Sequence, residues 1–187
     1  MVALLRRAPH VRVVRNYTGN RDKEEQGMAV DRNNTRTTRE YAQPTSIGRS
    51  LLYGAAAGIA SGIVFGLMMM MVMPGMMPMI GRIVGMENLA GGWLYHLFNS
   101  AVIGGIFGLA VSVLRASLSY GTGALWGAVY GMIWWVLGPL VLMPLLLGMP
   151  EMMFNINTDS LMSLMGHVIF GVITGLGYVF LRDRFRG

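Results

Sequence analysis

The sequence has no cysteine and few charged residues: only 13% of its 187 residues are Asp, Glu, Lys or Arg. Without cysteine, disulfides, thiolate metal ligands and cysteine nucleophiles are excluded. A soluble domain carries about 25% charged residues, so the low charge content argues against a water-soluble globule. The composition is instead 53% hydrophobic, with 18 Met and 26 Gly, and it predicts an integral membrane protein.

The few charges are concentrated near the start of the chain. Residues 1–49 hold ten of the fifteen bases and five of the nine acids. We therefore predict three parts: a basic polar cytoplasmic tail over 1–49, a first transmembrane hairpin over 50–115, and a second hairpin with a short basic C-terminus over 116–187. The tail is interpreted either as a solvated arm drawn to anionic lipid head groups or as an arm that orders on a partner protein.

Four stretches contain no charged residue, and each supplies the ~20 apolar residues that a helix needs to cross a bilayer. They predict an all-α integral membrane protein with transmembrane helices at about 50–72, 92–114, 119–138 and 161–181. Pro74 and Pro139 are expected to end the first and third helices, because proline removes a backbone donor. Asp159 or Ser160 is expected to cap the fourth.

The remaining charges predict the orientation of the helices. The tail and four arginines fall on one side of the membrane, whereas the other side carries one arginine and three acids. Under the positive-inside rule, both termini then face the cytoplasm. The arginines of the first side are Arg115, Arg182, Arg184 and Arg186, and the other side has Arg82, Glu87, Glu151 and Asp159.

The two halves of the membrane region match each other. Gly and Pro positions of the first helix recur 65 residues later, and His96 falls on His167 at a shift of 71. The matched pattern predicts two tandem helical hairpins of the same orientation, related by a pseudo-two-fold axis along the membrane normal. The repeated positions are Gly58, Gly62, Gly66 and Pro74, followed by Gly123, Gly127, Gly131 and Pro139.

Each intramembrane histidine lies on a stripe of small residues. His96 is followed at four-residue steps by Ser100 and Gly104, and His167 by Gly171 and Gly175. Residues at this spacing share one helix face, and small residues mark faces where membrane helices approach closely. We predict that the two histidines face each other and that Ser100, Gly104, Gly171 and Gly175 leave room for a ligand.

Several interpretations of the histidine pair stay open. Facing imidazoles are the axial ligands of a bis-histidyl haem b or another tetrapyrrole, and such a chain would transfer electrons. Imidazole and thioether also suit copper, for which the methionines at the end of the first helix are candidates. A proton or ion pathway is a third possibility. The purely structural interpretation gives each histidine a hydrogen bond to Ser, Asn or a backbone carbonyl of a neighbouring helix, and Asn99 and Thr174 are candidate partners. The candidate copper ligands are Met68, Met71, Met73 and Met76.

The sequence contains no recognisable catalytic or phosphate-binding motif, and the basic tail is interspersed with acids. We therefore predict neither an enzyme nor a nucleic-acid-binding protein. The leading hypothesis is a non-enzymatic membrane subunit of a larger complex that contacts the lipid bilayer, and other subunits through its glycine stripes and tail. It would carry a cofactor between His96 and His167. Haem electron transfer and copper or small-ion transport are the alternatives.

Residues 166–182, GHVIFGVITGLGYVFLR, and the related stretch YHLFNSAVIGGIFGLAV resemble small four-helix inner-membrane proteins of bacteria, the YagU-like group. The resemblance covers the second and fourth helices. It implies a location in the bacterial inner membrane and assigns no activity.

Overall fold

The computed structural model describes residues 23, 25–28 and 46–185. The chain divides into two compact units, Met1–Gln43 and Pro44–Gly187. In the first unit, the described residues 23 and 25–28 are helical and exposed. The interpretations of the polar tail therefore fall mostly outside the described residues and stay predictions.

The second unit contains four helices that are long and apolar enough to cross a membrane, which confirms the predicted number of spans. All regular structure among the described residues is helical, so the all-α prediction is also confirmed. The long helices are α1 (Ile47–Val72), α3 (Leu89–Val113), α4 (Tyr120–Leu137) and α6 (Thr158–Arg184), with the short helices α2 (Met76–Gly81) and α5 (Met143–Leu146) after α1 and α4.

Each long helix begins at a polar side chain that accepts a hydrogen bond from the helix backbone. The capping residues are Ser46, Asn88, Ser119 and Asn157. The prediction that Asp159 or Ser160 caps the last helix is wrong. The Asn157 side chain accepts from the Ser160 N–H at 2.9 Å, and the Ser160 hydroxyl accepts from the Asn157 N–H at 2.8 Å. This reciprocal pair fixes the start two residues earlier than Asp159.

Proline acts differently at the ends of α1 and α4. The first helix ends at Val72, ahead of Pro74, as predicted. The α-helix α4 likewise ends at Leu137, ahead of Pro139, as predicted, but the chain does not leave the helical path there: it continues through a π-helical turn over Gly138–Leu142 into α5. Proline lacks an N–H and crowds the preceding turn, and the wider π turn lets the chain remain helical around the ring.

Helices α1 and α3 pack through their backbones. A Cβ atom at Gly58 would overlap the carbonyl oxygen of Ser100, and a Cβ atom at Gly104 would overlap that of Gly54. Only glycine therefore permits this helix separation. In lipid the hydrophobic effect does not drive helices together, and close van der Waals contact of this kind stabilises the pair instead.

Helices α4 and α6 pack in the same manner. A Cβ atom at Gly127 would overlap the carbonyl oxygen of Gly171, and one at Gly175 would overlap that of Gly123. The glycine stripes seen in the sequence are thus contacts between helices of this one chain.

The contact between α1 and α6 joins these two pairs, so that α1 lies between α3 and α6, and α6 lies between α1 and α4. At its centre the hydroxyls of Ser61 and Thr174 are hydrogen-bonded at 2.6 Å, and both residues are fully buried. Helix α4 reaches α3 through the Tyr130 hydroxyl, which donates to the carbonyl of Ile103 at 2.6 Å.

A buried arginine, Arg182, lies at the end of this unit that carries the α3–α4 loop. Arg182 donates from Nη2 to the carbonyl of Leu118 at 2.7 Å and pairs with Asp183 at 2.9 Å. Leu118 belongs to a hydrophobic cluster that also contains Phe107 and Tyr178. The guanidinium thus satisfies a loop carbonyl and ties α6 to that loop.

A first prediction concerns the glycine contacts. Gly104→Ala places a methyl group against the α1 backbone, and we expect it to lower the free energy of unfolding by roughly 1–3 kcal/mol. Gly121→Ala is the matched control, since a Cβ there meets nothing within 4 Å, and we expect no loss of stability. Unfolding in mixed detergent–SDS micelles, followed by circular dichroism, measures both. Equal stabilities would contradict the proposed role of Gly104.

Candidate functional site

A partly enclosed cavity of about 560 Å³ lies at the end of the helices that carries α2 and α5, called here the methionine cavity. Residues from all six helices line it, and both His96 and His167 are among them. Its walls are mostly apolar, as is typical of small-molecule sites. Seven methionines contribute: Met69, Met73, Met76, Met79, Met143, Met149 and Met152.

His96 is held by the neighbouring helix. Its Nε2 atom lies 2.9 Å from the carbonyl oxygen of Gly62 in α1. A carbonyl oxygen only accepts hydrogen bonds, so Nε2 carries the proton and Nδ1 carries the lone pair. The Ser100 hydroxyl donates to the His96 carbonyl at 2.7 Å, one turn further along α3.

His167 is held within its own helix. Its Nδ1 atom lies 2.8 Å from the carbonyl oxygen of Ser163 and 3.3 Å from the Ser163 hydroxyl. Nδ1 therefore carries the proton, and the lone pair is on Nε2. That nitrogen faces the π-helical turn, where a Cβ atom built on Gly138 would lie 3.8 Å from it.

The two remaining ring nitrogens are available to a ligand. Among the described residues, no hydrogen-bond partner contacts Nδ1 of His96 or Nε2 of His167. Histidines that bind a metal usually donate their other ring N–H to a carbonyl or carboxylate, which fixes the ring and its tautomer. Both imidazoles show this arrangement at the edge of one cavity.

Phe65 of α1 connects the two histidines. Its ring centroid lies 5.5 Å from that of His96 and 4.9 Å from that of His167, both in edge-on geometry, and the side chain is buried. A phenyl ring thus fills space beside both imidazoles.

The small residues predicted to leave room for a ligand pack against backbone instead. Gly104 contacts α1, whereas Gly171 and Gly175 contact α4. Ser100 is buried and lies against Gly62, although it also borders the methionine cavity. The available space therefore lies toward α2 and α5 and away from these stripes.

Two of the four methionines singled out from the sequence, Met73 and Met76, line the cavity. Met71 is 85% exposed, and Met68 is not among the lining residues. Sequence reasoning missed Met69, Phe65 and Trp134, and the methionines of the second half: Met143, Met149 and Met152. The second methionine-rich segment, MPLLLGMPEMM, was the available signal for the latter.

The proposed histidine partners Asn99 and Thr174 do not hold the imidazoles. Thr174 pairs with Ser61 and donates to the carbonyl of Phe170, and Asn99 lines the cavity. His96 instead has the backbone carbonyl of a neighbouring helix that the structural interpretation also allowed, and His167 is bonded to a carbonyl of its own helix. Polar side chains also border the cavity where it meets the exposed loops: Asn155, Asn157 and Asp159.

Comparison with protein-family models, curated proteins and solved structures finds no match to this chain. The resemblance to the YagU-like group stays a prediction.

A second prediction concerns the tautomers. We expect neutral His96 to carry its proton on Nε2 and neutral His167 on Nδ1, because each donates to a carbonyl. Nitrogen-15 chemical shifts of histidine-labelled protein, assigned with His96→Gln and His167→Gln variants, measure this. The same tautomer at both positions would contradict one of the two hydrogen bonds.

Proposed function

We propose that this chain is a multi-pass membrane protein that binds a ligand in the methionine cavity, acting as a carrier or complex subunit and not as an enzyme. One observation carries the proposal: two imidazoles, each fixed through one nitrogen, leave the other nitrogen free at the edge of a single apolar cavity. Polar atoms inside a membrane protein are costly unless they are used, so their pairing at one cavity supports a binding role.

We also propose that the chain is a duplicated hairpin. Supporting this, equivalent positions make equivalent contacts: Gly58 approaches Gly104 in the first pair, and Gly123 approaches Gly175 in the second. In the same way, Gly62 lies against Ser100 and Gly127 against Gly171. These pairs are related by the sequence shifts of 65 and 71 residues.

The proposed location is a bacterial inner membrane, with both termini in the cytoplasm. Arg115 follows the end of α3, and Arg182 and Arg184 lie in the last turn of α6. Glu87 and Glu151 lie at the opposite end, beside α2 and α5. This charge distribution supports the orientation under the positive-inside rule. It puts the methionine cavity on the outer side.

A third prediction tests that orientation. The chain has no cysteine, so single cysteines report without background. The exposed positions Ser117 and Ile156 lie at opposite ends of the helices. With a membrane-impermeant maleimide on intact cells, we expect labelling of Ile156→Cys, and of Ser117→Cys only after lysis. The reverse pattern would overturn the proposed topology.

Membership of a larger complex remains part of the proposal, but its contacts differ from those expected. The glycine stripes are occupied within the chain. Helix α4 with its extension, Tyr120–Leu146, is the least buried span: 17% of its most apolar 18-residue stretch is buried, against 39% for the other three spans. This apolar face meets lipid in a monomer, and it would be the surface that a partner helix meets in a complex.

A fourth prediction tests ligand binding. We expect the full-length protein, purified in mild detergent, to carry a metal, pigment or organic molecule. Its occupancy should fall at least about tenfold in His96→Ala and His167→Ala variants, since loss of even an outer-shell partner costs a metal site that much. Elemental analysis, the visible spectrum and mass spectrometry of extracts measure it. A Soret band lost in both variants would favour the haem alternative.

His10→Ala is the control for that experiment, since His10 is the third histidine of the chain and lies outside the described residues. An occupancy that falls equally in the control, or a wild-type protein that carries and takes up none of the three classes, would overturn the binding proposal. Size-exclusion chromatography of the same samples tests for partner subunits.

A further inference from the structure

We propose that the methionine cavity is a site for a soft monovalent metal ion, Cu(I), held by thioether sulfurs together with Nδ1 of His96 and Nε2 of His167. The inference rests on the proposed ligand-binding function and names its ligand class. It differs from the metal site expected from the sequence, because the donors come from both halves of the chain and exclude Met68 and Met71.

The first argument is the chemistry of the donors. Sulfur of methionine and nitrogen of imidazole are the protein ligands that suit copper, and thioethers select Cu(I). Seven methionines border the same cavity as the two histidines. Methionine is also a common filler of apolar space, and Met69, Met73 and Met76 belong to or pack against the hydrophobic cluster of Phe65. Copper is therefore favoured only because these thioethers and the two imidazoles border one cavity.

The second argument is charge. Thioethers and neutral imidazoles bring no negative charge to the ion, and the surroundings are apolar. Burying any charge costs desolvation free energy unless the charge is paired. A divalent ion in the methionine cavity would lack the anionic ligands that offset this cost. Among the lining residues the one acidic side chain, Asp159, lies exposed at the border with the loops. The donor set therefore favours a monovalent ion over Zn²⁺ or Fe²⁺.

The third argument is that hydrogen bonds already orient both imidazole rings. Gly62 and Ser163 accept from the ring N–H groups at 2.9 Å and 2.8 Å, which fixes each ring and directs the lone pair away from its own support. This is the arrangement that orients metal-bound histidines. Asn155 and Asp159 supply polar groups where an ion would leave water and enter the cavity.

The test uses purified full-length protein in detergent, titrated with Cu(I) under reducing conditions against a chromophoric chelator, and with Ag(I) as a redox-inert substitute. We expect both ions to bind and Zn²⁺ not to bind. The double variant Met73→Leu with Met76→Leu keeps side-chain volume, a change that cores usually tolerate, and should weaken Cu(I) binding at least about tenfold, the lower range for disturbed metal sites.

Met71→Leu is the matched control, because Met71 belongs to the same methionine run but is 85% exposed. We expect wild-type affinity. In addition, Ag(I) should shift the nitrogen-15 signals of His96 Nδ1 and His167 Nε2 in the unmutated protein, a readout that does not depend on any variant folding.

Absence of Cu(I) and Ag(I) binding, equal weakening in the Met71→Leu control, or unshifted histidine signals would each overturn the metal site. If the protein instead carries an organic molecule that depends on His96 and His167, the metal inference fails while the ligand-binding function stands. If neither a metal nor an organic molecule depends on the histidines, both fail together.

Discussion

Close backbone contact between helices is the interaction on which the rest of the structure depends. Apolar side chains gain little by leaving lipid, so helices in a membrane associate where small residues let their backbones meet. The same contact positions the site. His96 reaches the carbonyl of Gly62 across the α1–α3 interface at 2.9 Å, which is possible because Gly62 has no side chain and lies directly against Ser100. The helix packing that stabilises the fold therefore also fixes the tautomer of the His96 imidazole.

The features that could be predicted from sequence are those with a local cause. Four charge-free stretches predicted four spans because length and hydropathy are properties of each stretch alone. Which helix packs against a glycine stripe depends on distant residues and not on the stripe itself. The space expected beside Gly171 and Gly175 is filled by α4. Asn157, not Asp159, caps α6 because a cap depends on hydrogen bonds in both directions. Pro139 interrupts the α-helical ladder without ending the helical path.

The candidate site was predictable in its histidines and only partly in its methionines. His96 and His167 were identifiable because ionisable groups inside a charge-free span are unusual. Met143 and Met149 border the cavity from the segment that follows α4. Its methionine-rich run, MPLLLGMPEMM, was visible in the sequence, but the π turn that carries the chain past Pro139 was not predicted. Phe65 gave no signal, since an aromatic residue in an apolar run is ordinary. Its position matches that of Tyr130 in the second half, yet Phe65 contacts both imidazoles while Tyr130 bonds to Ile103.

The different supports of the two histidines have a consequence for the geometry of any occupant. His96 presents Nδ1, the nitrogen close to its own backbone, whereas His167 presents Nε2, at the far tip of the ring. The free nitrogen of His96 therefore lies close to the α3 backbone, whereas that of His167 lies farther from the α6 backbone. The two histidines therefore present different ring nitrogens to the same cavity, and an occupant held by both would meet two unlike donors.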